Sequence, residues 1–324
     1  MSYVLGLDIG YSNLKLAYGV AGYAPVTRIL PSGALPMSRV NTAVSLSTME
    51  GIRVAVDGEE YLCCIHPEHI ENWVRVLHDD FPESQDYKAL FLAAISIVNR
   101  PVIDTLVVGL PVDQYFDNSR RDALRQRLEG THRTGAQATF VRQVVVVPQP
   151  IGGYFDLLAK QGTDNLIEQR VLICDPGFFS MDWALVQGGQ MRRQASGSSR
   201  LASSVVLEEA SRLIFEQHGA KVSRERIEWV IQKGRTNMPF RGAELDITPY
   251  IEEASGKVSA MVVNEILDSL RREKTDADVV LMVGGGAGYF QEKILGGLDG
   301  VKGFVADSPA LANARGFYQY GATN

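Results

Sequence analysis

Val4-Leu5-Gly6-Leu7-Asp8-Ile9-Gly10-Tyr11-Ser12-Asn13-Leu14-Lys15-Leu16 is the stretch on which the fold turns. An apolar strand runs into an Asp, a Gly and small polar residues, and the alternation of a second strand follows. Gly10 has no Cβ, so the turn is free to take positive φ and to bring backbone N–H groups close to an anion. Ser12 and Asn13 add side-chain donors, and Lys15 adds a charge. Asp8 stands at the carboxyl end of the strand, where a carboxylate can hold the water shell of Mg²⁺, an ion that dehydrates reluctantly. Taken alone, the stretch has two readings, a plain turn or a hairpin for phosphates.

A second copy favours the phosphate reading. Asp175-Pro176-Gly177-Phe178-Phe179-Ser180-Met181-Asp182-Trp183-Ala184 follows another apolar strand, residues 171–174, and overlays the first copy without a gap. Asp8 falls on Asp175, Gly10 on Gly177, Tyr11 on Phe178 and Leu14 on Met181. The offset is 167 residues in a chain of 324, so each half carries one copy. The repeat predicts two similar lobes closing on one polyphosphate, each giving an Asp-Gly corner.

Bulk composition narrows the class. Hydrophobic residues at 45% and charged residues at 22% are ordinary globular values, and no apolar run reaches the roughly 20 residues of a membrane-spanning helix. The amino terminus lacks the basic region of a signal peptide, so a cytoplasmic location is expected. A net charge of −6 argues against broad contact with nucleic acid by the chain itself. Three cysteines cannot all pair. Cys63-Cys64-Ile65-His66-Pro67-Glu68-His69 invites a metal reading, but neighbouring cysteines in a strand point to opposite faces and the spacing fits no common zinc pattern. Buried thiols followed by a surface turn are expected there.

Between the two copies, residues 21–37 read as a loop rich in Pro, Gly and Ala, leading to an insertion with a small hairpin around Asp57-Gly58-Glu59. Helical spacing marks 86–99 and 118–129, and strands are expected at 104–110 and 139–147. The run Val144–Val147 suits a central strand covered on both faces. Gln149 follows between Pro148 and Pro150, which limits where its amide points. It is either a rigid loop glutamine or a group that orients an attacking water. In the second half, residues 196–199 read as a small-residue loop, followed by helices at 201–217, 224–233 and 249–272. Strand 279–283 runs into Gly284-Gly285-Gly286-Ala287-Gly288, where missing side chains leave room for a flat ring or a ribose. The order is neither a Walker A loop nor a Rossmann turn. A last helix spans 309–320.

Two Asp-Gly hairpins, a strand-end Gln corner and a late triple-glycine corner, in this order, resemble the actin, Hsp70 and sugar-kinase ATPase superfamily. Within it, Val107-Val108-Gly109-Leu110-Pro111-Val112-Asp113-Gln114-Tyr115-Phe116 and Ala312-Asn313-Ala314-Arg315-Gly316-Phe317 resemble the ParM/StbA group of bacterial actin-like proteins. The resemblance implies an α/β actin-like fold of two ribonuclease-H-like lobes with a nucleotide cleft between them, each lobe with a smaller inserted subdomain. Lobe I would take residues 1–158, with an insertion at about 31–85 and a completing helix at 309–324; lobe II would take 159–308, with an insertion at about 200–272. It further implies Mg-ATP binding, self-polymerisation into filaments, slow ATP hydrolysis, and segregation of plasmid DNA through a DNA-bound adaptor protein, with no direct nucleic-acid or membrane contact.

By matching motif, Asp8 would hold Mg²⁺ through water, while Gly10, Tyr11, Ser12, Asn13 and Lys15 line the β- and γ-phosphates. Gln149 would position the hydrolytic water and Asp175 would polarise it or the metal shell. Gly177, Phe178 and Ser180 would form the second phosphate loop, Gly284, Gly285 and Gly286 would face the adenosine, and Lys233 would approach adenine. One departure stands out: Phe178 and Phe179 occupy positions that much of the superfamily gives to small residues, which leaves fewer hydroxyl donors unless backbone N–H groups make the contacts. A small-molecule kinase of the same superfamily is the alternative. A chaperone-like ATPase is disfavoured, the chain reaching Asn324 without a peptide-binding domain.

Overall fold

A computed structural model of the chain describes residues 1–39, 51–66, 77–135, 137–162, 166–298 and 300–323. In chain order the elements are β1 (Tyr3–Ile9), β2 (Asn13–Val20), β3 (Val26–Pro31), β4 (Gly33–Pro36), β5 (Ile52–Val56), β6 (Glu59–Ile65), α1 (Gln85–Val98), β7 (Val102–Leu110), α2 (Val112–Tyr115), α3 (Asn118–Leu128), β8 (Gly130–Thr134), β9 (Gln137–Pro148) and α4 (Gln149–Gln161). They continue as β10 (Val171–Pro176), β11 (Met181–Gln187), β12 (Gln190–Ser199), α5 (Ser203–His218), α6 (Arg224–Gln232), β13 (Asn237–Phe240), β14 (Ala243–Asp246), α7 (Thr248–Glu273), β15 (Val279–Met282), α8 (Ala287–Gly297), β16 (Lys302–Val305) and α9 (Pro309–Thr323). The chain divides into two compact units, Met1–Asp164 with Ala310–Asn324, and Asn165–Pro309.

The first unit is built on a sheet of order β3-β2-β1-β7-β9-β8. β1 pairs antiparallel with β2 and parallel with β7, and β7 pairs parallel with β9. A central strand of this kind is buried on both faces, which is why its sequence is a continuous apolar run. In β9, Val144 faces the core that contains α1, while Val147 meets Val107 and Phe317 on the other side. Helix α9 lies so close to β1 that a Cβ on Gly6 would collide with the main chain at Ala314 and Tyr318. It crosses α4 at a second glycine contact, where a Cβ on Gly316 would run into the carbonyl of Gly152. Beside that crossing both arms of Arg315 reach the buried Asp156 (2.7 and 2.6 Å), and Asn313 Oδ1 accepts from the Gly153 N–H at 3.1 Å.

The expected loop at 21–37 is instead two strands. β3 forms the outer edge of the main sheet, and Pro31 closes it at a position where a missing N–H costs no ladder bond. β4 joins a separate sheet of order β4-β6-β5. Its β5–β6 turn has positive φ at both Asp57 (51°) and Gly58 (89°), as a tight two-residue hairpin requires. The cysteines are buried as expected, but their side chains do not alternate. The register slips between Gly33 and Ala34 opposite Cys64, whose φ is 62°, so a bulge puts Cys63 and Cys64 in the same core. Both are buried thiols, and burial pushes Cys64 up to about 12. Pro67, Glu68 and His69 of the metal reading lie outside the described residues.

The second unit repeats the plan with a sheet of order β12-β11-β10-β15-β16, β10 pairing antiparallel with β11 and parallel with β15. Residues 196–199, expected as a loop, end strand β12. Their small side chains serve packing, since a Cβ on Gly197 would come within 2.9 Å of the Trp183 ring, and the Leu185 N–H donates to Ser196 Oγ at 3.0 Å. Helix α7 covers this sheet, with Trp183 Nε1 donating to Ser269 Oγ at 2.9 Å. On the surface Glu209 of α5 accepts from Arg212 at 2.6 Å and from Lys257 of α7 at 3.3 Å. Among the described residues no helix is long and apolar enough to cross a membrane.

Gly316→Ala forces α9 away from α4 and lowers the unfolding free energy by about 3 kcal/mol, the upper part of the overpacking range. Gly256→Ala on α7, where the nearest neighbour of the added Cβ is 3.9 Å away, raises it by about 1 kcal/mol; urea denaturation reads both. The hydrogen bonds from Arg212 and Lys257 hold the Glu209 carboxyl at about 2, below the ordinary 4.5. The unfolded chain therefore takes up this proton first as pH falls. The contribution is complete above pH 4.5 and is lost as pH drops through about 2, so Glu209→Gln flattens the acid limb of the stability curve in that window.

Candidate functional site

The β1–β2 turn is closed by one backbone bond, Gly10 N–H to Asn13 O at 3.0 Å. The β10–β11 turn is closed in the same way, Gly177 N–H to Ser180 O at 2.9 Å. Neither glycine takes positive φ. Glycine is needed for closeness instead: a Cβ would lie 3.3 Å from Asn13 O at Gly10 and 2.9 Å from Ser180 O at Gly177.

Strand register then fixes which side chains face each other. In the first corner Asp8 is opposite Lys15, and Lys15 Nζ sits 2.9 Å from the buried Asp8 Oδ2. Gln149 Nε2 approaches Asp8 Oδ1 at 3.4 Å, so three residues singled out by sequence meet at one carboxylate. Gln149 belongs to no loop: it is the first residue of α4, with Pro150 in the first turn, where the missing N–H is harmless. Gly109, one residue before the end of β7, makes its room, since a Cβ there would stand 2.7 Å from Gln149 Cγ. Asn13 Nδ2 donates to Ser12 Oγ at 3.2 Å. Tyr11 turns to its own unit, its hydroxyl accepting from the His78 N–H at 2.9 Å and its ring stacked 4.2 Å from Phe81. A phosphate contact from Tyr11 therefore falls to its backbone.

In the second corner Asp175 is opposite Asp182, so a carboxylate stands where the first corner has Lys15. Asp182 is buried and accepts from Ser180 Oγ at 2.6 Å and from Ser198 Oγ. The hydroxyl proton of Ser180 is thus directed to Asp182, which leaves its backbone N–H for the expected phosphate loop. The two aromatic side chains leave the turn. Phe178 is buried, and Phe179 lies under the Arg200 guanidinium at 4.1 Å. The first amides of α5 take the turn carbonyls, Ser203 N–H to Gly177 O at 3.2 Å and Ser204 N–H to Phe178 O at 2.9 Å.

The triple-glycine corner divides its work. Gly284 has φ +80°, and a Cβ on it would strike the Asp175 carboxylate. A Cβ on Gly286 would strike Ser203 Oγ, which is buried and without a partner among the described residues. Gly285 alone has nothing within 4 Å of an added Cβ. Of the three glycines expected to face adenosine, two are small because protein packs on them and one borders open space. Lys233 caps the end of α6 and is exposed. One turn earlier Glu228 is buried and accepts from Gln232 Nε2 at 3.1 Å, and burial together with Glu228 raises the phenol of Tyr289 at the start of α8. Sequence reading singles out neither Asp182 nor Glu228. The repeated register carried a signal for the first; the second needs the helix–helix placement.

The donor set of the first corner suits Mg²⁺. Among the described residues no group of three His, Cys, Asp or Glu forms a metal cage, whereas Mg²⁺ is usually held by one or two carboxylates and by phosphates. Asp8 is such a carboxylate, and the adjoining turn offers amides to an anion.

The chain matches two family models. Residues 6–152 match the actin-like protein N-terminal domain, and residues 173–295 match the C-terminal domain of the archaeal actin homologue MreB-like family. No curated protein matches the chain in sequence. Among solved structures, the archaeal actin homologue Ta0583 superposes with a TM-score of 0.79 at 19% identity, covering 99% of both chains. ParM from a 15-stranded filament of Clostridium botulinum superposes with a TM-score of 0.75 at 16% identity, covering 100% of this chain and 99% of the other. Bacillus thuringiensis ParM with AMPPNP superposes at 0.66 and 13% identity, covering 99% of each chain. With actin-type domains matched in both halves and an actin-like fold throughout, the chain belongs to the actin-like proteins.

Proposed function

We propose that this protein binds Mg-ATP through its two Asp-Gly corners, polymerises in response, and hydrolyses the nucleotide slowly within the filament. The observation that carries the reading is the duplicated turn, closed by the same backbone bond in each unit and presenting an Asp at the same strand position. Phosphoryl transfer asks a protein mainly for positioning and charge neutralisation. Bound Mg²⁺ would supply charge neutralisation on the phosphates, with Asp8 holding its water shell. Lys15 adds a cation at the first turn, and the amides around Gly10 and Gly177 donate to phosphate oxygens. Gln149, fixed by α4 beside Asp8, orients water, and Asp175 accepts a hydrogen bond from it or from the metal shell.

Proteins of this fold support the reading: the structure of a ParM filament from Clostridium botulinum supports the polymer, and the archaeal homologue Ta0583 in complex with ADP supports the nucleotide. Plasmid DNA is the proposed cargo. A chain of net charge −6 would reach it through a DNA-bound adaptor protein rather than directly.

Sedimentation tests the proposal. The chain pellets with Mg-ATP and stays in the supernatant with Mg-ADP or without nucleotide. Gln149→Ala still pellets with Mg-ATP, but phosphate release falls by about 10²-fold, the scale of losing a group that directs the proton of an attacking water. Failure to pellet at any concentration, with ADP release stimulated by a small-molecule acceptor, would replace the filament by a kinase.

A further inference from the structure

Lys88 sits in the first turn of α1, at the positive end of the helix dipole, where a cation is disfavoured. The surroundings add to this. Arg127 of α3 spans the same helix start, donating to the carbonyls of Glu83 and Ser84 at 2.6 and 2.7 Å. Lys88 Nζ is held by Arg127 O at 2.9 Å and by His132 Nδ1 at 3.1 Å, and it stands 5.0 Å from the Phe91 ring centroid. Asp57 is the acidic group that acts on it; no carboxylate forms an ion pair with Lys88 among the described residues.

The tautomer of His132 follows from its other nitrogen. Nε2 lies 2.9 Å from Leu128 O, an acceptor only, so Nε2 carries the hydrogen and Nδ1 presents a lone pair to Lys88. Burial of the ring and the nearby Lys88 charge lower the His132 pKa and keep the imidazole neutral. A half-buried amine is thus placed against a neutral base, with a guanidinium and a helix start opposing its charge.

We propose that Lys88 is a nucleophilic lysine, with His132 as its base, that is acylated by small activated acyl donors of the acyl-phosphate class. The amine nitrogen attacks the acyl carbon, the C–N bond forms as the bond to phosphate breaks, and inorganic phosphate leaves. The proton lost from nitrogen passes to His132 Nδ1 and on to solvent. No oxidant or metal is required. The product amide keeps one N–H, so only one of the two bonds to Arg127 O and His132 survives, and the junction of α1, α3 and β8 loosens. The site is independent of the nucleotide reading.

Acetyl phosphate is the probe, applied to the intact chain at neutral pH with acetylation rates read peptide by peptide by mass spectrometry. Lys88 reacts at least 10-fold faster than the exposed Lys221, and its rate titrates with an inflection near pH 8, where burial and the Arg127 charge put the amine. His132→Gln lowers the Lys88 rate at least fivefold and leaves Lys221 unchanged. If Lys88 in the unsubstituted chain reacts no faster than Lys221, or its rate keeps climbing to pH 10 without an inflection, the proposal is wrong. Both observations need no variant, so a misfolded His132→Gln protein does not protect it.

Discussion

One backbone hydrogen bond across a four-residue turn, made once in each unit, is the constraint to which the rest of the fold answers. Gly10 donates to Asn13 O at 3.0 Å and Gly177 to Ser180 O at 2.9 Å, and a side chain at either glycine would crowd the acceptor. The turn sets the register of the flanking strands, and the register sets the charge. Asp8 then meets Lys15, while Asp175 meets Asp182. In the second unit the hydroxyls of Ser180 and Ser198 donate to the buried Asp182. The copies share a backbone but not a side-chain pairing: the first sets a lysine opposite its Asp, the second a further carboxyl group.

Much of the chain serves to hold one further residue, Gln149. Its backbone is fixed by two prolines and the start of α4, its side chain by the space left at Gly109. Helix α4 is in turn held by α9, from the far end of the sequence, through the contact of Gly152 with Gly316 and the pairing of Arg315 with the buried Asp156. Side chains fixed by packing and by supporting hydrogen bonds hold reactive geometry better than side chains on free loops. The supports here are glycines and an ion pair well away from the turn itself.

Elements that obey a local rule were legible in the sequence. The apolar strands, the helices with clear spacing and the duplicated Asp-Gly corner all follow from period and turn chemistry. What escaped depends on neighbours. β3 hides behind prolines because edge strands tolerate them, and β12 hides behind Ser and Gly because those residues make room for Trp183. Cys63 and Cys64 share a core only because a bulge interrupts the alternation. The Ser180 hydroxyl looks free to donate until its bond to Asp182 is seen, and the three glycines at 284–286 look alike until Asp175 and Ser203 are seen against two of them. The turn follows from local residue types, whereas the partners its side chains take come from neighbours distant in sequence.

The proposed function requires the Asp-Gly corner of each unit for the binding of Mg-ATP. Isothermal titration calorimetry of the chain with Mg-ATP, repeated with Asp8→Ala and with Asp175→Ala, tests it most directly. The account predicts saturable heat with one nucleotide per chain, and loss of magnesium-dependent affinity in each variant. Binding that is absent from the unsubstituted chain, or unchanged by either substitution, would contradict it.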